Sequence, residues 1–408
     1  VSIGRRIFLD RTDRLQRLAV PSQDLARIAE RLRRRGVEII DLSRVSAGRQ
    51  ISATGTDAAG WQPATTEQLA ALREAAAHWY EHRFGVTLDP ESEITFVPNA
   101  VIGMTLLSLS FVEAGDMALL PDPGAAFYRG AIVMAGGGVV PYHLSDASAY
   151  RPRFAALAER LVGRTRLIVL SYPHNPTAAQ ADATLFAEAV AFARKHQTLV
   201  VSDAAFAFPY DAQTRPPSFL SASYATGVGV EIAALDTNFG RPDLPLALVA
   251  GNREAVSAVA FLTEAGRWSL PQGMVNAACR LLLEGDAPIR ARLERLAPSH
   301  RLLCEMMSEL DWEPMAAATS PYLWVRVRAR VGAEAFCRRL LRRTGVLVAP
   351  GTDFGEGGEG YIRVTIPEDP ALAQKVVDRW RRHVRIYQRR LPRPRHIGAR
   401  LRRHSDEK

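Results

Sequence analysis

Two carboxylates, a carboxamide and an arginine have the types and placement to do chemistry in a cleft. Asp203 closes the apolar run Thr198–Ser202, so a strand would deliver its carboxylate at the strand end. There it can hold a charged ligand group or serve as a helix cap. Asn175 precedes Pro176, where its amide can meet a ligand or shape a turn. Arg363 lies inside the apolar run Tyr361–Ile366, an odd place for a solvated guanidinium, and its two-pronged fork suits a carboxylate. Asp236 follows the apolar stretch Gly229–Leu235, as a general acid or base or as a plain strand end. Together these groups could bind a small carboxylate-bearing ligand through Arg363 and move protons with Asp203 or Asp236. The three cysteines, Cys279, Cys304 and Cys337, fall in helix-like segments without metal-ligand spacing, so free thiols and no metal site are expected.

The elements that must position these groups alternate. An amphipathic helix is expected over 23–35, with Leu25, Ile28, Ala29 and Leu32 on one face, then a short strand over 37–42. Residues 43–66 are rich in Ser, Gly, Ala and Thr and read as a long loop, followed by a helix over 67–84. From Glu93 onward, apolar runs at 94–97, 117–120, 138–142, 165–170, 198–202, 229–235 and 246–250 lack polar alternation. Strands of that kind are buried on both faces, and their alternation with helices predicts an α/β layered, mostly parallel sheet. A helical region follows to about residue 310, and 312–387 alternates again. The expected domains are a large α/β domain over 37–290, a small α+β domain from 1–36 and 291–386, and a basic tail over 387–408.

Bulk properties exclude several classes. Hydrophobic content of 47% with 23% charged residues is ordinary for a soluble globular protein. No apolar run reaches the length of a membrane span, and the N-terminal stretch lacks the apolar core of a secretory signal, so a cytoplasmic protein is expected. The net charge of +9 is local: residues 379–408 hold 12 basic and 2 acidic side chains, against 40 and 41 in residues 1–378. The tail is either a solvated appendage or a contact for an acidic partner.

Six runs stand in family order. They are Asp10-Arg-Thr-Asp-Arg-Leu15, His78-Trp-Tyr-Glu-His-Arg-Phe-Gly85, Pro121-Asp-Pro-Gly with Tyr128-Arg-Gly130, Tyr172-Pro-His-Asn-Pro-Thr177, Asp203-Ala-Ala205 and Gly358-Glu-Gly-Tyr-Ile-Arg363. Over residues 8–386 the chain resembles the pyridoxal-phosphate (PLP) aminotransferases of fold type I, nearest the branch that includes LL-diaminopimelate aminotransferase. The resemblance implies a homodimer. It implies that Asp203 keeps the pyridine nitrogen protonated, that Asn175 bonds the ring's phenolic oxygen, and that Arg363 and Tyr128 meet substrate.

Other family positions have changed. Thr237 stands at the Schiff-base lysine position, and no lysine occurs between Lys195 and Lys375. Ala125 replaces the stacking ring, Asn99-Ala-Val101 the phosphate turn, Ala234 and Asp236 the flanking serines, and Pro245 the phosphate arginine. Phe206 replaces the Asp-x-x-Tyr tyrosine, and Ser43–Ala47 a glycine-rich segment. The carboxylate of Asp236 would repel a phosphate. From these changes the expectation is that no cofactor binds and that the chain is a repurposed, PLP-independent biosynthetic enzyme not expected to transaminate. The alternatives are a noncatalytic partner subunit of another enzyme, or an aminotransferase that still holds PLP without the covalent link.

Overall fold

The computed structural model describes residues 22–45, 62–159, 163–207, 216–315, 320–327 and 331–383. The Asp10–Leu15 run and the tail from 387 onward lie outside them.

In chain order the strands are β1 (Ile40–Leu42), β2 (Ile94–Val97), β3 (Met117–Asp122), β4 (Gly138–His143), β5 (Thr165–Ser171), β6 (Leu199–Asp203), β7 (Gly229–Ala234), β8 (Ala247–Gly251), β9 (Glu313–Pro314), β10 (Tyr322–Arg326), β11 (Val346–Pro350) and β12 (Tyr361–Thr365). The helices are α1 (Ser22–Arg33), α2 (Thr66–Phe84), α3 (Ala100–Phe111), α4 (Ala126–Met134), α5 (Phe154–Glu159), α6 (Ala183–His196), α7 (Leu235–Phe239), α8 (Arg253–Ala265), α9 (Gln272–Leu283), α10 (Ala287–Glu309), α11 (Ala333–Thr344) and α12 (Pro370–His383).

The larger sheet runs β2-β8-β7-β6-β5-β3-β4, with only β8 antiparallel to its neighbours. Its strands are apolar on both faces because helices cover both. Leu106, Ile132 and Val259 pack on one side, from α3, α4 and α8. Leu72, Phe186 and Val275 pack on the other, from α2, α6 and α9. The helix starts are set by side chains the sequence supplies for that purpose. Thr65 and Gln68 form a capping box on α2, Asn99 caps α3 at Ile102 N, and Asp182 caps α6 at Leu185 N. Inside β7 the buried Glu231 is satisfied by the Tyr80 hydroxyl at 2.8 Å, the Ser218 hydroxyl at 3.0 Å and the Phe219 N–H at 2.9 Å. Such pairing is what makes a buried carboxylate tolerable.

The second sheet runs β1-β11-β12-β10-β9. Its outer face carries α1, α10, α11 and α12 over a core that includes Leu25, Leu303, Leu341 and Trp380. The sequence puts residues 37–42 at the start of the large domain. Instead β1 pairs in parallel with β11, Ile40 opposite Val346, so this stretch belongs to the second sheet. Likewise 229–235 reads as one strand, but the chain turns into α7 at Leu235. Among the described residues no helix is long and apolar enough to cross a membrane.

Candidate active site

The candidate residues converge where the parallel strands end. The carboxyl ends of β5, β6 and β7 deliver Asn175, Asp203 and the Asp236–Thr237 pair to one edge, the position where open α/β sheets bind ligands. The second sheet closes the cleft from above with Arg363 on β12.

Arg363 is buried, yet no described carboxylate pairs with it directly. Its Nη1 donates to Asn175 Oδ1 at 2.8 Å and its Nη2 to the Ser43 carbonyl at 2.9 Å. Its guanidinium lies over the Phe354 ring at 4.6 Å and the Tyr322 ring at 5.4 Å. Its Nε has no partner among the described residues. Burial lowers its pKa to about 10, which still leaves it charged at neutral pH. A charged fork with an idle donor, held by neutral groups, is suited to a ligand's carboxylate.

Asp203 is also buried. Tyr128 donates its hydroxyl to Oδ2, and Ala205 N donates to Oδ1 at 2.9 Å. Burial raises the carboxyl's pKa while these donors oppose the rise. Tyr128, which the sequence offers as a substrate contact, is 2% exposed and spends its hydroxyl on Asp203, so it holds the carboxylate from behind. Asn175 is brought to Arg363, a contact the sequence reading did not foresee. Asp236 Oδ1 accepts from the Thr237 N–H at 2.7 Å and from the Thr237 hydroxyl at 3.2 Å, inside the first turn of α7. Burial raises the Asp236 pKa. Phe206 packs edge-on against Tyr322 at 5.0 Å, and with Ala178, Ala205 and Ala234 it gives the cleft an apolar wall.

Three participants escape sequence reading. Tyr322 donates its hydroxyl to the His174 carbonyl at 3.0 Å, and its ring lies beneath Arg363. Phe354 lies across the same guanidinium. Arg292, 1% exposed on α10, donates through Nη1 to the Thr237 carbonyl and through Nε to Glu368 at 3.0 Å. A signal for Arg292 exists: it shares one helical face with Ile289, Leu296 and Leu303, all buried.

His174 is fully buried between the rings of Tyr150 and Tyr172, its Nδ1 2.8 Å from the Thr177 hydroxyl. Burial lowers its pKa to about 3. The folded state therefore keeps it neutral, while the unfolded chain takes up a proton below about pH 6.5. Stability should fall as pH drops from about 6.5 towards 3, by roughly 4 kcal/mol in all from this group. Melting temperatures across that range should show a flatter acid limb for His174→Gln; equal slopes would remove His174 as the cause.

Known proteins share this arrangement of strands and cleft. The sequence model for aminotransferase class I and II matches residues 50–379. The chain belongs to the class I and II aminotransferases. It is 33% identical to the LL-diaminopimelate aminotransferase of Desulforudis audaxviator over 299 residues, 73% of this chain and 76% of that protein. It is 32% identical to that of Moorella thermoacetica over 323 residues, 78% and 82% of the two chains. Among solved structures, apo BacF from Bacillus subtilis superposes with TM-score 0.73 at 28% identity, covering 85% of this chain and 94% of that one. A probable N-succinyldiaminopimelate aminotransferase from Thermus thermophilus gives 0.77 at 25%, covering 88% and 100%.

Membership corrects the expectation that no cofactor binds, because class I and II aminotransferases are PLP-dependent. That expectation counted side chains and overlooked the backbone. Asn99 caps only Ile102 N, so the first N–H groups of α3 remain for an anion whatever side chains occupy 100 and 101. On the ring side, Asp203 with its two donors, Asn175 and Arg363 stand together and fit the aminotransferase cofactor and a carboxylate substrate. An amine for covalent attachment is another matter. Of the chain's three lysines, Lys195 is exposed near the end of α6, Lys375 pairs with Glu38 at 2.6 Å, and Lys408 lies outside the described residues.

Proposed function

We propose that this aminotransferase-family protein holds PLP, or its amine form, by contacts alone, and acts on an amino acid or keto acid whose carboxylate rests on Arg363. The observation that carries this reading is the buried guanidinium of Arg363, bonded among the described residues to neutral acceptors alone, in the same cleft as Asp203. The diaminopimelate names of its relatives favour a substrate with a second charged end.

When bound, PLP supplies an electron sink for bonds at the substrate's α-carbon. The chain's residues do the rest. Asp203, held by the Tyr128 hydroxyl and the Ala205 N–H, would pair with the ring nitrogen. The N-terminus of α3 would hold the phosphate. Arg363 fixes the substrate by its carboxylate, and Asn175 orients Arg363. Asp236 Oδ1 is committed to Thr237, which leaves Oδ2 to move a proton, and burial raises the carboxyl's pKa. A homodimer accompanies this reading, with exposed Val101 and Leu109 on α3, Met134 on α4 and Phe261 on α8 as apolar surface for a second copy.

Absorbance titration with PLP and with pyridoxamine phosphate, followed by borohydride reduction and intact-mass measurement, tests the proposal. Saturable spectral change with no stoichiometric mass gain after reduction is expected. No saturable change with either compound would refute cofactor binding, and a single stoichiometric adduct would refute noncovalent holding.

A further inference from the structure

The outer helices of the second sheet carry charge that the active site does not use. α1 buries Leu25, Ile28 and Ala29 and turns Arg27, Arg31 and Arg33 outward, with exposed Arg34 and Arg35 just beyond its end. α11 packs beside it, burying Cys337, Leu340 and Leu341 and exposing Arg339, Arg342 and Arg343. Three acids interleave with these arginines and pair with some of them. Arg27 meets Asp24 at 3.2 Å, Arg34 meets Glu30 at 3.1 Å, and Arg338 meets Glu334. Arg31, Arg35, Arg339 and Arg342 have no carboxylate partner among the described residues. With 40 basic and 41 acidic groups in residues 1–378, this concentration on two adjoining helices is a local feature, not a general excess of arginine.

We propose that the exposed face formed by α1 and α11 docks the acidic surface of another protein. Guanidinium forks pair bidentately with carboxylates, and exposed charge of this kind guides association more than it adds affinity. The interleaved acids favour a protein over a nucleic acid. A continuous phosphate chain would run against Asp24, Glu30 and Glu334, whereas a folded acidic surface can set its carboxylates opposite the free arginines and its own cations opposite those acids. Neither helix presents an exposed aromatic ring on which a base could stack.

The test uses the full chain and two fluorescent probes, a glutamate-rich helical peptide and a DNA duplex of matched charge, read by anisotropy at low and physiological salt. Reversing Arg31, Arg35, Arg339 and Arg342 together to glutamate should weaken peptide binding by about tenfold or more. The same four changed to glutamine should fall between, and the Arg153→Glu/Arg267→Glu control should bind like wild type. Circular dichroism and melting confirm that each variant is folded; should the glutamate variant fail to fold, the glutamine variant decides. Unchanged peptide binding would overturn the proposal and assign the affinity to the tail. Tighter binding of the duplex, lost in the same variants, would overturn it in favour of nucleic acid.

Discussion

Replacing Arg363 with alanine is expected to weaken binding of a small dicarboxylate by about a hundredfold or more, roughly 3 kcal/mol. The guanidinium is the cleft's buried cation, and burial already lowers its pKa to about 10. A ligand carboxylate relieves that cost, so removing the fork removes the main reason for an anion to enter. The fold should tolerate the change. Alanine gives up two hydrogen bonds to neutral groups and two ring contacts, but it also removes a desolvated charge. Calorimetric titration of dicarboxylates beside thermal melting separates the outcomes. Unchanged binding would end Arg363's role as the substrate anchor, and a fall in stability of several kcal/mol would make it a structural residue. Lysine in its place should rescue little, because an ammonium cannot reproduce the fork that reaches Asn175 and the Ser43 carbonyl together.

Arg292→Met should produce the largest loss of stability, roughly 3–5 kcal/mol, because it strips a buried cation from partners that stay behind. The Thr237 and Asn238 carbonyls would lose their donor, and Glu368 would keep only Arg295, at 3.1 Å. The space beside this arginine is fitted closely: a Cβ at Gly240, whose φ is +67°, would lie 2.7 Å from Arg292 Nε. Denaturant unfolding measures the loss, and the double variant Arg292→Met/Glu368→Gln should recover part of it by leaving no stranded carboxylate. A single variant within about 1 kcal/mol of wild type would show that α7 is held by other means.

The strands of the larger sheet are legible because each is an apolar run without polar alternation, and Ile94–Val97 has the bounds its composition predicts. Pairing is less legible. Nothing in Ile40–Leu42 says which sheet will accept it, since that depends on which edge is open once the chain has folded. α7 is hidden because Leu235 is as apolar as the strand before it, and its N-cap, Ala234, has no capping side chain to announce the turn. In the site, Asp203, Asn175 and Arg363 stand out as polar groups at the ends of, or within, apolar runs. Their supports are less legible: Tyr128 is visible but its partner, Asp203, is not, and the Ser43 carbonyl and the N–H groups of α3 belong to the backbone, which carries no letter in a sequence. The mistaken expectation about the cofactor came from that blindness.

The two sheets meet through a short set of contacts at the cleft rim. Gly357 N donates to Asp122 Oδ1 at 2.9 Å and Gly124 N to the Phe354 carbonyl at 2.7 Å, while the Tyr361 hydroxyl meets Asp146 Oδ2 at 3.1 Å beside the Arg326–Asp146 pair. Gly355, at φ +121°, comes so close that a Cβ there would lie 2.2 Å from Asp122 Oδ1. Phe354, whose ring covers Arg363, is the residue beside that glycine. The placement of Phe354 over Arg363 is therefore tied to the contacts that join the rim. A bulkier residue at 355 would have to displace Asp122 or shift the segment that carries Phe354, so the ring cover over the Arg363 guanidinium should loosen.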